Sequence, residues 1–319
     1  MQEFELIAQY FEGRGVSRKD VDLSIGDDAA VLNVPENSQL VVTTDTLVEG
    51  VHFFSDIDPH ALGYRALAVN LSDLAAMGAE PAWISVALTL PTADPKWLAK
   101  FSEGMHQIAE YFNVQIIGGD TTQGPLTISI CAKGFVPKGK ALTRKGANNG
   151  DWIFVTGQLG DAGLAIDAKY KKISLAQAQF TAVNKAFDYP SPQLAAGQML
   201  RDKASSCIDI SDGLVADLGH ICQQSGVGAK LFAEKIPMSD TLSNVLPLEQ
   251  ALQYAMGYGD DYQLLFTVPE AQRTTVEMTL KQYGVNATCV GQITADKGQL
   301  SIFLNNKPFT LKKNGFEHF

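Results

Sequence analysis

From Ala61 to Met77 the chain reads ALGYRALAVNLSDLAAM, and this stretch constrains the fold more than any other. Helical spacing puts Leu67, Leu71 and Leu74 on one face and Ala66, Val69, Ala76 and Met77 on the opposite one. A helix that is apolar all round is buried all round, so the chain must supply packing partners on every side of it. The carboxylate of Asp73 interrupts this wheel, and Arg65 is the only other charge. They stand about two turns apart along the axis, too far for a direct pair. Asp73 therefore needs a partner from elsewhere in the fold, or a metal ion.

Oxygen-rich segments recur along the chain. Gly118-Gly119-Asp120-Thr121-Thr122 follows the apolar stretch Val114 to Ile117 and reads as a flexible, carboxylate-bearing turn where a strand ends, suited to phosphates and metal ions. Thr43-Thr44-Asp45-Thr46 is expected to end the strand Leu40 to Val42, and Gly26-Asp27-Asp28 lies between apolar segments. In Asp209-Ile210-Ser211-Asp212-Gly213, period-two alternation points Asp209 and Ser211 the same way, and Asp212 falls where a helix begins. Taken singly, each has an ordinary explanation as a turn, a helix start or an N-cap. Together Asp27, Asp28, Asp45, Asp73, Asp120, Asp209 and Asp212 form a set without His or Cys. Such all-oxygen sets favour several Mg²⁺ or Mn²⁺ ions over Zn²⁺.

Charge supports the same chemistry. The formal net charge of the 319 residues is -10, with no Lys/Arg cluster or basic aromatic stripe, which excludes extended nucleic-acid binding. An acidic chain that handles phosphates needs divalent cations to mask the repulsion. Cys131, Cys207, Cys222 and Cys289 show no CxxC spacing and read as reduced core thiols. No apolar run reaches membrane-spanning length, and Glu3, Glu5 and Glu12 interrupt the N-terminus; no membrane association and a cytoplasmic location are expected.

The length predicts about two domains. Strands are expected at Leu40 to Thr44, Trp83 to Leu90, Val114 to Ile117 and Leu126 to Val136, with helices over 3–12, 58–77 and 94–112. The alternation in Leu126-Thr127-Ile128-Ser129-Ile130-Cys131 points to antiparallel neighbours. Pro137 to Asp151 collects Pro, Lys, Gly and Asn before a fresh apolar run. The expected organisation is thus a domain over 1–137, a linker over 138–150 and a second domain over 151–319. There, helices are expected near 161–169, 192–203, 213–224 and 270–283, with strands near 152–156, 207–210, 262–268 and 288–293. Gly134 to Ala141 nearly matches a P-loop but ends in Ala141 where a hydroxyl should bind Mg²⁺, and no helix is expected after it. His52 alone reads more readily as a hydrogen-bonded structural histidine. No Ser/His/Asp or Cys/His arrangement is signalled.

These motifs converge. Ser24 to Ala30, Thr44 to Phe53, Ala68 to Ala79, Gly118 to Thr122 and Asp209 to Leu214 closely resemble the bacterial thiamine-monophosphate kinase family, within the aminoimidazole ribonucleotide synthetase superfamily. The resemblance covers nearly the whole chain and implies an α/β fold of α+β type: two domains with mixed, largely antiparallel sheets and flanking helices. It implies a homodimer formed through the N-terminal sheet, nucleotide bound without a P-loop, and an active site between the domains. By motif, Asp28, Thr43, Thr44, Asp45, Asp73, Asp120, Asp209 and Asp212 would hold Mg²⁺. Gly119, Asp120, Arg144 and Ser211 would contact ATP, and His52, Asp260 and Phe316 would face thiamine monophosphate. One departure is visible: where the family typically reads Gly-Gly-Glu-Asp-Tyr, this sequence has Gly257-Tyr258-Gly259-Asp260-Asp261-Tyr262, with an added bulky Tyr258 and Asp for Glu.

The implied reaction is direct in-line transfer of the γ-phosphoryl group of ATP, giving thiamine diphosphate, with no catalytic general base. Another ATP-using enzyme of the superfamily and a non-catalytic nucleotide- or thiamine-phosphate-binding module are the alternatives. The absence of a reactive N-terminal Cys loop speaks against selenophosphate synthesis.

Overall fold

The computed structural model describes residues 3–313, 315 and 316. The chain forms two compact units, one of residues 1–74 and 79–139, the other of 75–78 and 140–319.

The first unit runs α1 (Glu3–Tyr10), β1 (Val21–Leu23), β2 (Val31–Leu32), β3 (Ser38–Val48), α2 (Pro59–Ala76), β4 (Glu80–Leu90), α3 (Pro95–Tyr111), β5 (Gln115–Gln123) and β6 (Thr127–Pro137). Its sheet has the order β3-β6-β4-β5. β6 pairs antiparallel with both β3 and β4, and β4 pairs parallel with β5. The alternation of β6 explains its place: Ile128, Ile130 and Ala132 are buried on one face, while Ser129 and Cys131 are half-exposed on the other. α2 is buried as its sequence demands, with Leu62, Leu67, Leu71 and Leu74 fully inaccessible. α3 begins at the Asp94 cap and buries Leu98, Phe101, Met105 and Ile108. On the opposite face the β1–β2 hairpin brings Val21, Ala30 and Leu32 over Trp83, Ile117 and Phe135.

Two expectations are corrected here. Thr43 to Thr46 does not end a strand and Gly118 to Thr122 is not a turn: both lie inside strands, β3 and β5. The register with β6 and β4 continues past the apolar residues, because main-chain hydrogen bonding tolerates Thr, Gly and Asp where one face of the sheet is open.

The second unit continues with β7 (Trp152–Thr156), α4 (Asp161–Lys169), α5 (Gln177–Asp188), α6 (Leu194–Leu200), β8 (Ser206–Asp209), α7 (Leu214–Ser225), β9 (Gly228–Phe232), α8 (Asp240–Val245), α9 (Leu248–Gly257), β10 (Leu264–Val268), α10 (Glu270–Gln282), β11 (Ala287–Thr294), β12 (Leu300–Leu304) and β13 (Lys307–Pro308). The sheet order is β13-β12-β9-β11-β7-β10-β8. Every pairing is antiparallel except β9 with β12. β10 is buried at every position, apolar except for Thr267, and Phe266 stacks on Phe154 of β7 at 5.5 Å. α5, α8, α9, β9, β12 and β13 were not expected from the sequence. Gly134 to Pro137 belong to β6, and 140–150 form no helix, so the near-match to a P-loop has neither its loop nor its capping helix.

Candidate functional site

In the first unit, β3 and α2 bring three of the expected donors together. Thr43 donates its hydroxyl to Asp73 Oδ2 at 2.5 Å. The Asp45 amide donates to Asn70 Oδ1 at 3.2 Å, and Asn70 is anchored by donating to the Ala66 carbonyl. Burial, and then the Asp73 charge, push the Asp45 carboxyl from its ordinary 3.8 up to about 7. Two carboxylates held this close, with hydroxyl and amide oxygens around them, suit a hard divalent cation.

The register separates the remaining expected ligands. Asp45 aligns with Ile130, Val86 and Gly119, and Thr43 with Ala132, on the face packed against α2. Thr44 and Asp120 fall in the alternate rows, with Cys131 and Ser85 and with Ser129 and Ala87, on the other face. There Thr44, Thr46, Ala87 and Asp120 are exposed, and Thr46 shares a 2.8 Å hydrogen bond with Ser129. Thr44 and Asp120 also lie on opposite edge strands, so three strand spacings, about 14 Å, divide them within one chain.

Gly119 is fixed by close approach. A Cβ there would meet the Val86 carbonyl oxygen at 1.8 Å, so no side chain fits. Asp28 is exposed in the loop joining β1 to β2, its amide bonded to Asp27 Oδ1. His52, half-buried after β3, accepts the Val48 amide on Nδ1 at 3.0 Å; in the neutral ring this puts the proton on Nε2, which becomes a donor.

In the second unit the residues cluster around the start of α7. β8 ends at the buried Asp209, and the following loop is laced to 258–263: Ile210 N–H donates to Gln263, Asp260 N–H to Ser211 and Tyr262 N–H to Ile210, at 2.8–2.9 Å. Asp260 and Tyr262 are both held at positive φ (70° and 48°), a conformation that non-glycine residues keep only when their surroundings enforce it. Asp212 is not the helix cap: Gly213 occupies that position, and the loop amides of Asp212 and Gly213 donate instead to Asp217 Oδ2 at 3.2 and 3.1 Å.

Asp217 is a residue that sequence reasoning missed. The signal was there, as a lone acid in the first turn of the apolar run Leu214-Val215-Ala216-Asp217-Leu218. Its carboxyl is pushed up to about 7 by burial and then by Asp212, with Arg144 opposing. Arg144, exposed in the segment after β6, is thus close enough to act on this cluster. Asp212, Asp217 and His220 offer ligand atoms within 4.8 Å of one another. Asp261 was also missed. It accepts the Gly160 amide on Oδ1, its other oxygen is buried without a hydrogen-bond partner, and burial holds its pKa well above the ordinary value. Phe316 is part-exposed, and its amide donates to the Asp212 carbonyl at 3.0 Å.

The sequence and the fold match known proteins. Residues 26–136 match the model of the AIR synthase related protein N-terminal domain, and 148–302 that of the C-terminal domain. A thiamine-monophosphate kinase of Escherichia coli (strain K12) is 49% identical over 324 residues, covering 99% of this chain and 98% of that protein. The chain belongs to the thiamine-monophosphate kinase family. The crystal structure of thiamine-monophosphate kinase from Stenotrophomonas maltophilia K279a superposes with a TM-score of 0.85 at 39% identity, covering 95% of each chain. AaThiL, complexed with AMPPCP and TMP, superposes with a TM-score of 0.78 at 30% identity, covering 93% of this chain and 92% of that one.

Proposed function

We propose that this chain transfers the γ-phosphoryl group of ATP directly to the phosphate of thiamine monophosphate, producing thiamine diphosphate and ADP. The observation that carries this is the Thr43–Asp45–Asp73 cluster, an all-oxygen acidic site in a chain 49% identical, over nearly its full length, to a thiamine-monophosphate kinase. Mg²⁺ fits the residues present, since Asp45 and Asp73 crowd one another's charge and Thr43 adds a hard oxygen donor. In the first unit Asp28, Thr43, Thr44, Asp45, Asp73 and Asp120 would be ligands for it, and in the second unit, taken by itself, Asp209 and Asp212 would be. When bound, the ions neutralise phosphate charge and stabilise the charge that develops during transfer.

The protein's own groups bind and orient. Gly119, with no side chain to interfere, leaves its backbone open to ATP phosphates, and Arg144 and Ser211 add donors to the nucleotide. His52 Nε2–H serves as a neutral donor toward the thiamine phosphate, Asp260 faces its cationic half, and the Phe316 ring stacks on it. No side chain has to remove a proton. The acceptor phosphate has a second pKa of about 6 and is mostly ionised near neutral pH.

The active form is a homodimer. Thr44 and Asp120 share a face of the four-stranded sheet but lie on opposite edges. A second copy that brings its β3 edge to this β5 edge gives both a common neighbourhood. Its location is the cytoplasm, where ATP is supplied; the four free cysteines and the lack, among the described residues, of a helix long and apolar enough to cross a membrane agree with this.

The test is turnover of ATP, Mg²⁺ and thiamine monophosphate, with free thiamine and aminoimidazole precursors as comparison acceptors. Thiamine diphosphate is the expected product, and Asp73→Asn and Asp120→Asn each lose about 100-fold or more in kcat. ATP binding without product would favour a binding module, and product from another acceptor would favour a different enzyme of the superfamily.

A further inference from the structure

Tyr258 is a bulky residue between Gly257 and Gly259, and the structure shows what it touches. It follows α9, and its ring lies stacked on Tyr254, centroids 4.5 Å apart. Its hydroxyl donates to Asp167 Oδ2 at 3.1 Å, beside the Tyr254 hydroxyl, which donates to the same oxygen at 2.9 Å. Lys172 completes the set on Asp167 Oδ1 at 2.9 Å. Gly163 of α4 forms the floor, since a Cβ there would meet Tyr258 Cβ at 2.6 Å. The ring is therefore fixed in orientation by a stack, a hydrogen bond and a backbone surface.

Its remaining face receives the segment around Lys313. Lys313 places its ammonium 4.4 Å from the Tyr258 ring centroid. The segment leading to it is tied to α9 on both sides of Gln253, whose side chain donates to the Thr310 carbonyl and accepts the Lys312 amide at 2.8 Å. The Lys313 carbonyl passes so close to Gly257 that a Cβ would meet it at 2.2 Å. Beyond Lys313, Gly315 lies against Ala216 of α7, and the Phe316 amide reaches the Asp212 carbonyl. Phe316 is thus delivered to the start of α7 by a strap pinned at Gln253, Lys313 and Asp212.

We propose that Tyr258 is a positioning residue for thiamine monophosphate: its ring face clamps Lys313, and the clamped strap holds Phe316 in register beside Asp212. The inference rests on the reading above that Phe316 faces this substrate. An ammonium over a part-exposed phenol ring is a contact of modest strength, appropriate to setting the occupancy of one aromatic side chain and not to holding the domain together. The lysine is exposed and the tyrosine half-buried at the end of a helix, so the clamp can be removed without opening the core.

The test uses the full-length protein and the variants Lys313→Ala, Tyr258→Ala, Lys313→Arg, Tyr258→Phe and Phe316→Ala. Lys313→Ala and Tyr258→Ala raise the KM for thiamine monophosphate about 3- to 10-fold, with kcat and the KM for ATP changed less than about twofold. The double variant adds nothing further, because either change releases the same contact. Lys313→Arg and Tyr258→Phe retain the cation and the ring and keep the wild-type KM. Amide exchange gives a readout independent of turnover: the Phe316 N–H exchanges faster in Lys313→Ala than in the wild type, while β10 is unchanged. If Phe316→Ala raises the KM but Lys313→Ala and Tyr258→Ala do not, or if Phe316 exchange is the same in all variants, the clamp is overturned. If Phe316→Ala itself leaves the KM unaltered, the placement of Phe316 at the substrate fails instead.

Discussion

Asp45 and Asp73 tie the proposed metal chemistry of the first unit to its stability. Neither is a surface acid: Asp45 loses water on β3, and Asp73, on α2, accepts the hydroxyl of Thr43 of β3. Folding raises the Asp45 pKa from 3.8 to about 7. A carboxyl shifted upward adds stability that is whole below its unfolded value and is lost as the pH rises through the folded one, since the folded state then binds the extra proton. Metal-free protein should therefore lose Tm steadily between about pH 4 and about pH 7. Asp45→Asn should flatten that slope and melt higher than wild type near neutral pH while losing activity; an equal slope in thermal melts would contradict the assignment. Arg144 acts at the same scale in the second unit, where its charge already favours ionised Asp217. Arg144→Ala should raise the KM for ATP about 5- to 20-fold with a smaller change in kcat, and an unchanged KM would remove it from the nucleotide.

At the level of elements, the loop before α7 is held by a residue inside the helix. Asp217 accepts both the Asp212 and Gly213 amides, doing from the first turn what a capping side chain does from the N-cap. Asp217→Ala should cost about 1–3 kcal/mol in denaturant unfolding, and Asp217→Asn less. Activity should fall in both, because the loop also carries Ser211 and Asp212. Full stability in Asp217→Ala would show that the two amides find other partners. These elements also mark what could be read from the sequence and what could not. α2 was legible because its apolar wheel admits one environment, and β6 because strict alternation admits one pleat. The ends of β3 and β5 were not, because Thr43 to Thr46 and Gly118 to Thr122 carry turn-like residues, whereas pairing with β6 and β4 decides their conformation. Asp261 escaped notice for a related reason, since only tertiary structure brings the Gly160 amide to it, while Asp217 accepts the nearby Asp212 and Gly213 amides through the bend of the loop into α7.

For the whole molecule, the candidate donors could be named from the sequence, whereas their division between the two faces of the sheet could not. The motifs gave Thr44, Asp45 and Asp120 as one group, but a strand sends neighbours to opposite sides, so Asp45 joins Asp73 and Thr44 joins Asp120 on the open face. That face ends at an edge where Leu40 and Val42 are 45% and 54% exposed. An exposed apolar edge strand pairs readily with another chain, and here pairing would also shorten the three-strand gap between Thr44 and Asp120 by way of the second copy. Sedimentation at working concentration should give a dimer. Val42→Asp puts a charge on the edge at a position already open to solvent, so the first unit keeps its fold. The variant should sediment as a monomer and lose about tenfold or more of its activity, since Thr44 and Asp120 are then left apart. A wild-type protein that sediments as a monomer while turning over at its full rate would require each chain to assemble its ligands alone, and the homodimer would have to be abandoned.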